Sequence, residues 1–382
     1  MGKIKILRIS TVPLSLNLFL RGFLREMSDE GFEAVAVSSS GKDLEEVRIR
    51  EGVKTIPVEM ERSISPLKDL KSLFHLIAVL KKEKPLIIHS ITPKAGLLSM
   101  MAGWICKVPF RIHTFTGLVF PTSKGLKRRI LILTDRITCL CATHVIPEGE
   151  GVKNDLVRNK ITEKPLTVLG NGSIRGVDIE YFDPQLPDLI KRAGLLKKKG
   201  VFTFIFIGRL SSEKGIRELL GAFRTLNKEI PATRLLLIGW EEYDSKELKD
   251  YVSQTIADTR SIEFIGFQED VRPWLLASQA LVLPSYREGF PNSVLEAAAM
   301  GIPAVATDIN GSNEIIKHGV NGLLLPPRDE DALFEAMKTM VQNEGLREKM
   351  AENARPLVAG RFNQKLVRKA MMDYYRNLKA KV

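Results

Sequence analysis

The chain has 382 residues, 44% of them hydrophobic, three cysteines and a formal net charge of +12. That length accommodates two domains, each burying its own core, while no segment reaches the ~18 consecutive apolar residues of a membrane-spanning helix. Cys106, Cys139 and Cys141 are odd in number, sit among apolar residues and lack zinc-ligand spacing, which points away from a metal site and toward buried thiols in a reducing, cytoplasmic compartment.

In chain order, "KIKILRIS" carries Lys3, Lys5 and Arg8 inside a short apolar alternation and reads as a first strand, not a secretory signal. A helix from about Ser15, the run "EAVAVSSS", a helix from about Asp43, "KTIPVEM" and a long helix around Leu67 to Lys84 follow. "LIIHSIT", "FRIHTFTG" and "THVIPEG" continue the series. Strands separated by crossover helices of this length predict a parallel, doubly wound sheet. The lysine-rich stretch 188–200 then reads as a linker between a first domain, 1–187, and a second, 201–360. The second series runs "VFTFIFIG", "TRLLLIG", "SIEFIGF", "ALVLPSY", "PAVATDI" and "NGLLLPP", and 361–382 reads as a last amphipathic helix that packs back on the first domain. The fold class expected is α/β: two Rossmann-like domains facing each other across a cleft, with the informative loops following strands.

The positive charge favours an anionic partner. Between Met101 and Arg136 seven basic residues face one acid, Asp135. "SKGLKRRILILTDRI" mixes these cations with Leu and Ile at helical spacing, which suits either an anionic bilayer surface met by Lys124–Arg129 or a solvated basic face. No aromatic interleaving or recognition motif points to nucleic acid.

Two loops carry the chemistry. "GRLSSEKG" leaves the first strand of the second series: Gly208 gives a tight exit, Arg209 and Lys214 supply two cations, and a helix begins at Ile216. A strand, a glycine loop and a helix amino terminus make an anion site, and a planar Arg fork with a mobile Lys ammonium suits a diphosphate. "REGFPNS" leaves "ALVLPSY" ahead of the helix "VLEAAAMG", with Asn292 or Ser293 expected as its cap. Glu288 then lies in the loop and Glu296 one turn inside the helix, flanking the segment Gly289, Phe290, Pro291, Asn292 and Ser293, whose backbone N–H groups offer a second anion or hydroxyl site. Paired carboxylates are matched to the vicinal hydroxyls of sugars. Together the loops read as a site for a nucleotide diphosphate sugar.

On these residues the chain resembles the glycosyltransferases of family 4, whose two-domain architecture is called GT-B. "GRLSSEKG" is similar to that family's phosphate loop, "EGFPNSVLEAAAMGIPAVATD" to its E-x7-E motif, and "GSNEIIKHGVNGLLLPP" continues the pattern, from about Val201 to Pro327. The resemblance implies a hexosyltransferase that retains anomeric configuration and moves a hexose or N-acetylhexosamine from a UDP-sugar to a saccharide or lipid-linked saccharide acceptor of surface polysaccharide. It implies that Arg209 and Lys214 neutralise the donor diphosphate without a metal cofactor, that Glu288 holds the transferred sugar and Glu296 the ribose, and that the segment around Phe290 contributes backbone amides. "DED", Asp329 to Asp331, lies at a helix start and reads as capping, not as a metal motif.

The chain departs from the family in two places. Many members carry a histidine just before the glycine after the fifth strand, where "HTFTG" has Thr116 before Gly117; this form resembles a surface-polysaccharide subgroup. His113, three residues earlier, falls within the strand and reads as a core histidine. The glycine pair after the first strand is replaced by "STVPLSLN", leaving Asn17 or Ser15 to face the acceptor. The alternatives are a nucleotide-sugar epimerase of the same fold and a catalytically silent binding subunit.

Overall fold

Phe202–Ile207 is entirely aromatic and β-branched, the composition that packs on a pleated surface buried on both faces. All twelve apolar runs become strands in the computed structural model, which describes residues 3–63 and 65–380. The first six are β1 (Ile4–Ile9), β2 (Phe32–Ser38), β3 (Lys54–Pro57), β4 (Ile87–Ile91), β5 (Phe110–Phe115) and β6 (His144–Pro147). The second six are β7 (Phe202–Ile207), β8 (Thr233–Ile238), β9 (Ile262–Gly266), β10 (Ala280–Leu283), β11 (Ala304–Thr307) and β12 (Gly322–Leu325).

One sheet has the order β3-β2-β1-β4-β5-β6, the other β12-β11-β10-β7-β8-β9, and every pairing is parallel. Each is the doubly wound order in which the winding reverses beside the first strand, at β1/β4 and at β7/β10. The loops leaving the carboxyl ends of such a pair diverge to opposite faces and open a crevice between them. The period-2 alternation of side chains feeds both faces of the first sheet: Ile6 joins a core with Leu16, Phe23 and Tyr375, while Leu7 and Ile9 join another with Leu76 and Leu98. Prolines at Pro13, Pro66, Pro93 and Pro187 stand at the first turn of their helices, where a missing N–H costs nothing.

The chain divides into a unit of 1–175 with 366–382 and a unit of 176–365. This corrects the expected boundary at 187/188 and the linker 188–200. Pro187–Leu196 is a helix that buries Leu189 and Ala193, and Leu189 sits in the core of the second unit. The lysines of that stretch concealed the helical spacing of its apolar residues. The terminal helix expected over 361–382 is Gln364–Lys379, which buries Met371, Met372, Tyr375 and Leu378 in the first unit as expected, while residues 361–362 close the preceding helix, Glu344–Phe362, in the second unit. The last two residues of the expected span, 381–382, lie outside the described residues.

Candidate functional site

Because β7 and β10 are neighbours, with Phe204 opposite Ala280, the two loops singled out in the sequence leave the sheet side by side. Behind β7 the chain passes Gly208 and Arg209, makes a short turn over Ser212–Lys214 and enters the helix Ile216–Glu229 through Gly215. Gly215 has φ +66, and a Cβ there would stand 2.1 Å from the carbonyl oxygen of Pro284, in the loop behind β10. Only glycine lets the two backbones approach this closely. The Tyr286 amide donates to the Glu213 carbonyl at 2.8 Å, fixing the second loop to the first.

Side chains continue the joint. Lys214 pairs with Glu288, both largely screened from solvent, and Arg287 grips Glu213 through Nε and Nη2 at 3.0 and 2.8 Å. Arg209 pairs with Glu242, to which the Trp240 indole N–H also donates at 3.3 Å. Three cations and three carboxylates are thus matched across the ends of three adjacent strands, β8, β7 and β10. Screening by protein makes the Lys214–Glu288 pair stronger than the two more exposed ones, and each pair leaves a directional donor or acceptor set that an incoming anion or hydroxyl can exchange into. The Ser211, Ser285 and Ser312 hydroxyls, all around these loops, are buried with no hydrogen-bond partner among the described residues.

The helix expected after "REGFPNS" is Asn292–Ala299, but its cap is Pro291, and no side chain caps it. This corrects the expectation that Asn292 or Ser293 caps it: the Pro291 carbonyl accepts from Val294 and Leu295 at 3.1 and 3.3 Å, and Asn292 and Ser293 are the first helical residues. Their N–H groups stand at the positive end of the helix, which suits an anion. Gly289 is held from behind: Gly311, at φ +78, passes so close that a Cβ would lie 2.2 Å from the Gly289 oxygen. The Phe290 ring is buried against Phe362, centroids 5.1 Å apart, so only its backbone is available to a ligand. Glu296 is half-buried one turn into the helix. Asp329 caps Glu330–Gln342 by accepting from the Ala332 amide at 2.8 Å.

Sequence reasoning missed Glu242, Glu213 and Arg287. The signal for Glu242 was its place just past β8, the neighbour of β7, where Leu210 forms a bridge to Glu241.

In the first unit the residues fare differently. Thr116 and Gly117 follow directly on β5, Thr116 half-buried and Gly117 at φ +107. Asn17, expected at an acceptor surface, is half-buried: its amide nitrogen donates to Asp43 at 2.8 Å and to Glu46 at 3.1 Å, and its oxygen accepts from Arg50. Both ends of that amide tie Pro13–Phe19 to the helix Lys42–Glu51. His113 is buried in β5 at 2.8 Å from the Ser90 hydroxyl, and burial pushes its pKa down to about 3. Among the described residues no group of three or more His, Cys, Asp or Glu side chains is placed to hold a metal ion, and no helix is long and apolar enough to cross a membrane.

A family model described as "Glycosyl transferase 4-like domain" matches residues 17–172, and one described as "Glycosyl transferases group 1" matches residues 188–356. The chain is 32% identical to a capsular polysaccharide biosynthesis glycosyltransferase, CapM, of Staphylococcus aureus, over 97% of this chain and 96% of that one. The chain belongs to the family 4 glycosyltransferases. This glycosyltransferase is also 28% identical to an Escherichia coli UDP-Gal:alpha-D-GlcNAc-diphosphoundecaprenol alpha-1,3-galactosyltransferase, over 95% of this chain and 94% of that one. Among solved structures, Anabaena HepE in complex with UDP-glucose matches with a TM-score of 0.82 at 19% identity, covering 98% of this chain and 100% of that one. The fold is that of the GT-B glycosyltransferases.

Proposed function

We propose that this glycosyltransferase takes a hexose or N-acetylhexosamine from a UDP-sugar and transfers it, with retention of anomeric configuration and without a metal cofactor, to a lipid-linked saccharide of a surface polysaccharide. The observation that carries this reading is the joint between the loops behind β7 and β10, where Lys214 pairs with Glu288 and Arg209, in the same loop as Lys214, pairs with Glu242. The diphosphate of the donor displaces Glu242 and Glu288 from these cations, which then stabilise the charge that develops on the departing UDP. Glu288, released from Lys214, accepts from hydroxyls of the transferred sugar, and Glu296 from the ribose. The donor class is supported by the UDP-glucose complex of the Anabaena protein, and the acceptor class by the printed name of the Escherichia coli relative.

The acceptor's lipid would be met at a membrane face. The helix Gly125–Cys141 exposes Leu126 and Leu133, 72% and 57% accessible, beside Lys124, Lys127 and Arg129. Arg128 is not part of that face: it donates to Asn159 at 2.8 Å and lies over the Phe120 ring. An apolar stripe edged by cations suits an anionic bilayer, which would hold the enzyme peripherally on the cytoplasmic side.

Calorimetric titration with a panel of UDP- and GDP-sugars, with and without EDTA, tests the donor. One UDP-sugar should bind equally in both conditions and more weakly to Arg209→Ala and Glu288→Ala; binding restricted to GDP-sugars, or abolished by EDTA, would refute the proposal. NMR of the product anomer tests retention, and flotation with anionic liposomes of wild type against Lys127→Glu/Arg129→Glu tests the membrane face.

A further inference from the structure

Arg8, in the middle of a strand, is fully buried and has no ion pair among the described residues. Its Nη1 donates to the Tyr375 hydroxyl, which lies 2.6 Å from His89 Nδ1, while His89 Nε2 lies 2.7 Å from the Thr114 hydroxyl. Because a guanidinium only donates, the hydroxyl accepts from Arg8 and passes its own proton toward Nδ1, leaving Nε2–H to donate to Thr114. This relay contains no negative charge. Burial pushes the Tyr375 phenol up and, together with the nearby Arg8 charge, holds His89 well below its ordinary value, so both stay neutral around pH 7.

The other edge of the guanidinium is bare. Nε and Nη2 are the two donors of the side-on fork, the geometry that grips an anion with two parallel hydrogen bonds, and both are buried without a partner. Arg8 also lines a cavity shared with Arg175 and Arg368 and otherwise walled by apolar groups such as Phe19, Leu20 and Met371. Arg368 is partly matched by Glu26 at 3.4 Å. The space is about 10 Å³, which is room for one water-sized body and too little for a phosphate or a carboxylate group. A water would satisfy the donors but leave a cation buried without a counter-charge, the arrangement interiors avoid.

We propose that this cavity is a binding site for a small monovalent inorganic anion of halide size, held by the Nε–H and Nη2–H groups of Arg8 beneath the helix Gln364–Lys379. The anion completes the charge balance of the first unit's core and fastens that helix through Tyr375.

The test uses the full chain in chloride, bromide, phosphate or gluconate at constant ionic strength. Chloride and bromide should raise the wild-type melting temperature saturably by about 2–4 °C over gluconate at ten times the dissociation constant, and Arg8→Met should lose that response. Bromide-soaked crystals of the wild type should show an anomalous peak within hydrogen-bonding distance of Arg8 Nε and Nη2. An ordered water at that position in the bromide crystals would overturn the proposal, as would equal halide responses in the two proteins or protection by phosphate as strong as by chloride. If Arg8→Met fails to fold, the bromide diffraction on the wild type decides alone.

Discussion

The two sheets share one winding order, yet the crevices at their reversal points are furnished differently. At β7/β10 the loops are joined by ion pairs, Lys214 with Glu288 and Arg287 with Glu213. At β1/β4 they are joined by neutral hydroxyls: Thr11 and Thr92 lie 2.9 Å apart, and the Ala95 amide donates to Thr11 at 3.1 Å. The first unit keeps ionisable groups inside, as Arg8, His89, His113 and Asp135, and burial lowers the pKa of both histidines and raises that of Asp135. Topology supplies the crevice in both units; residue type decides whether it presents exchangeable charge. That difference is why the donor is assigned to the second unit.

The sharpest way to break the comparison is to remove one joining side chain from each crevice, a charge from one and a hydroxyl from the other. Lys214→Ala should lower kcat/KM for the donor by about 10²–10³ with folding intact, whereas Thr92→Ala should leave it within about threefold. Equal losses would mean that the first crevice takes part in the chemistry. Next in size, Gly215→Ala forces a Cβ against Pro284 in a left-handed backbone and should destabilise by about 2–4 kcal/mol in urea unfolding.

Asp135 sharpens the contrast from the other side. Burial raises its pKa to about 7, so the folded state holds a proton that the unfolded state releases near pH 4, and stability falls as pH rises between those values. Asp135→Asn should therefore gain more at pH 8 than at pH 4.5, by on the order of 2 kcal/mol in denaturant midpoints. His113 acts with the opposite sign: its depressed pKa makes the fold lose stability as pH drops below about 6.5. The smallest effect expected is at Glu242→Gln, which frees a half-exposed Arg209 and should change donor affinity by no more than about threefold by calorimetry.

The strands and the two loops were legible because each rests on local pattern: apolar runs for β7 and β10, and Gly, Arg, Lys and Glu at fixed offsets for the site. What escaped depends on which strands are neighbours. Arg209's partner Glu242 lies behind β8, and Arg287's partner Glu213 lies in the other loop, so neither pair follows from spacing along the chain. The Asp43 and Arg50 partners of Asn17 escaped for the same reason, since they come from a helix that follows the next strand. The boundary at 175/176 was hidden because the lysines of 188–200 resemble a tether while Leu189 and Ala193 serve a helix.

The helix Gln364–Lys379 follows the whole of the second unit, yet its Tyr375 reaches His89 and Arg8, residues that precede that unit. The second unit is contiguous, and its sheet and core are complete before that helix leaves the ribosome. The first unit must wait, with the inward faces of β1 and β4 and the buried charge of Arg8 uncovered while the whole of the second is translated. A chain cut after residue 365 therefore keeps the second unit whole and leaves the first without its covering helix, so the first half of the sequence depends on residues that lie beyond the second.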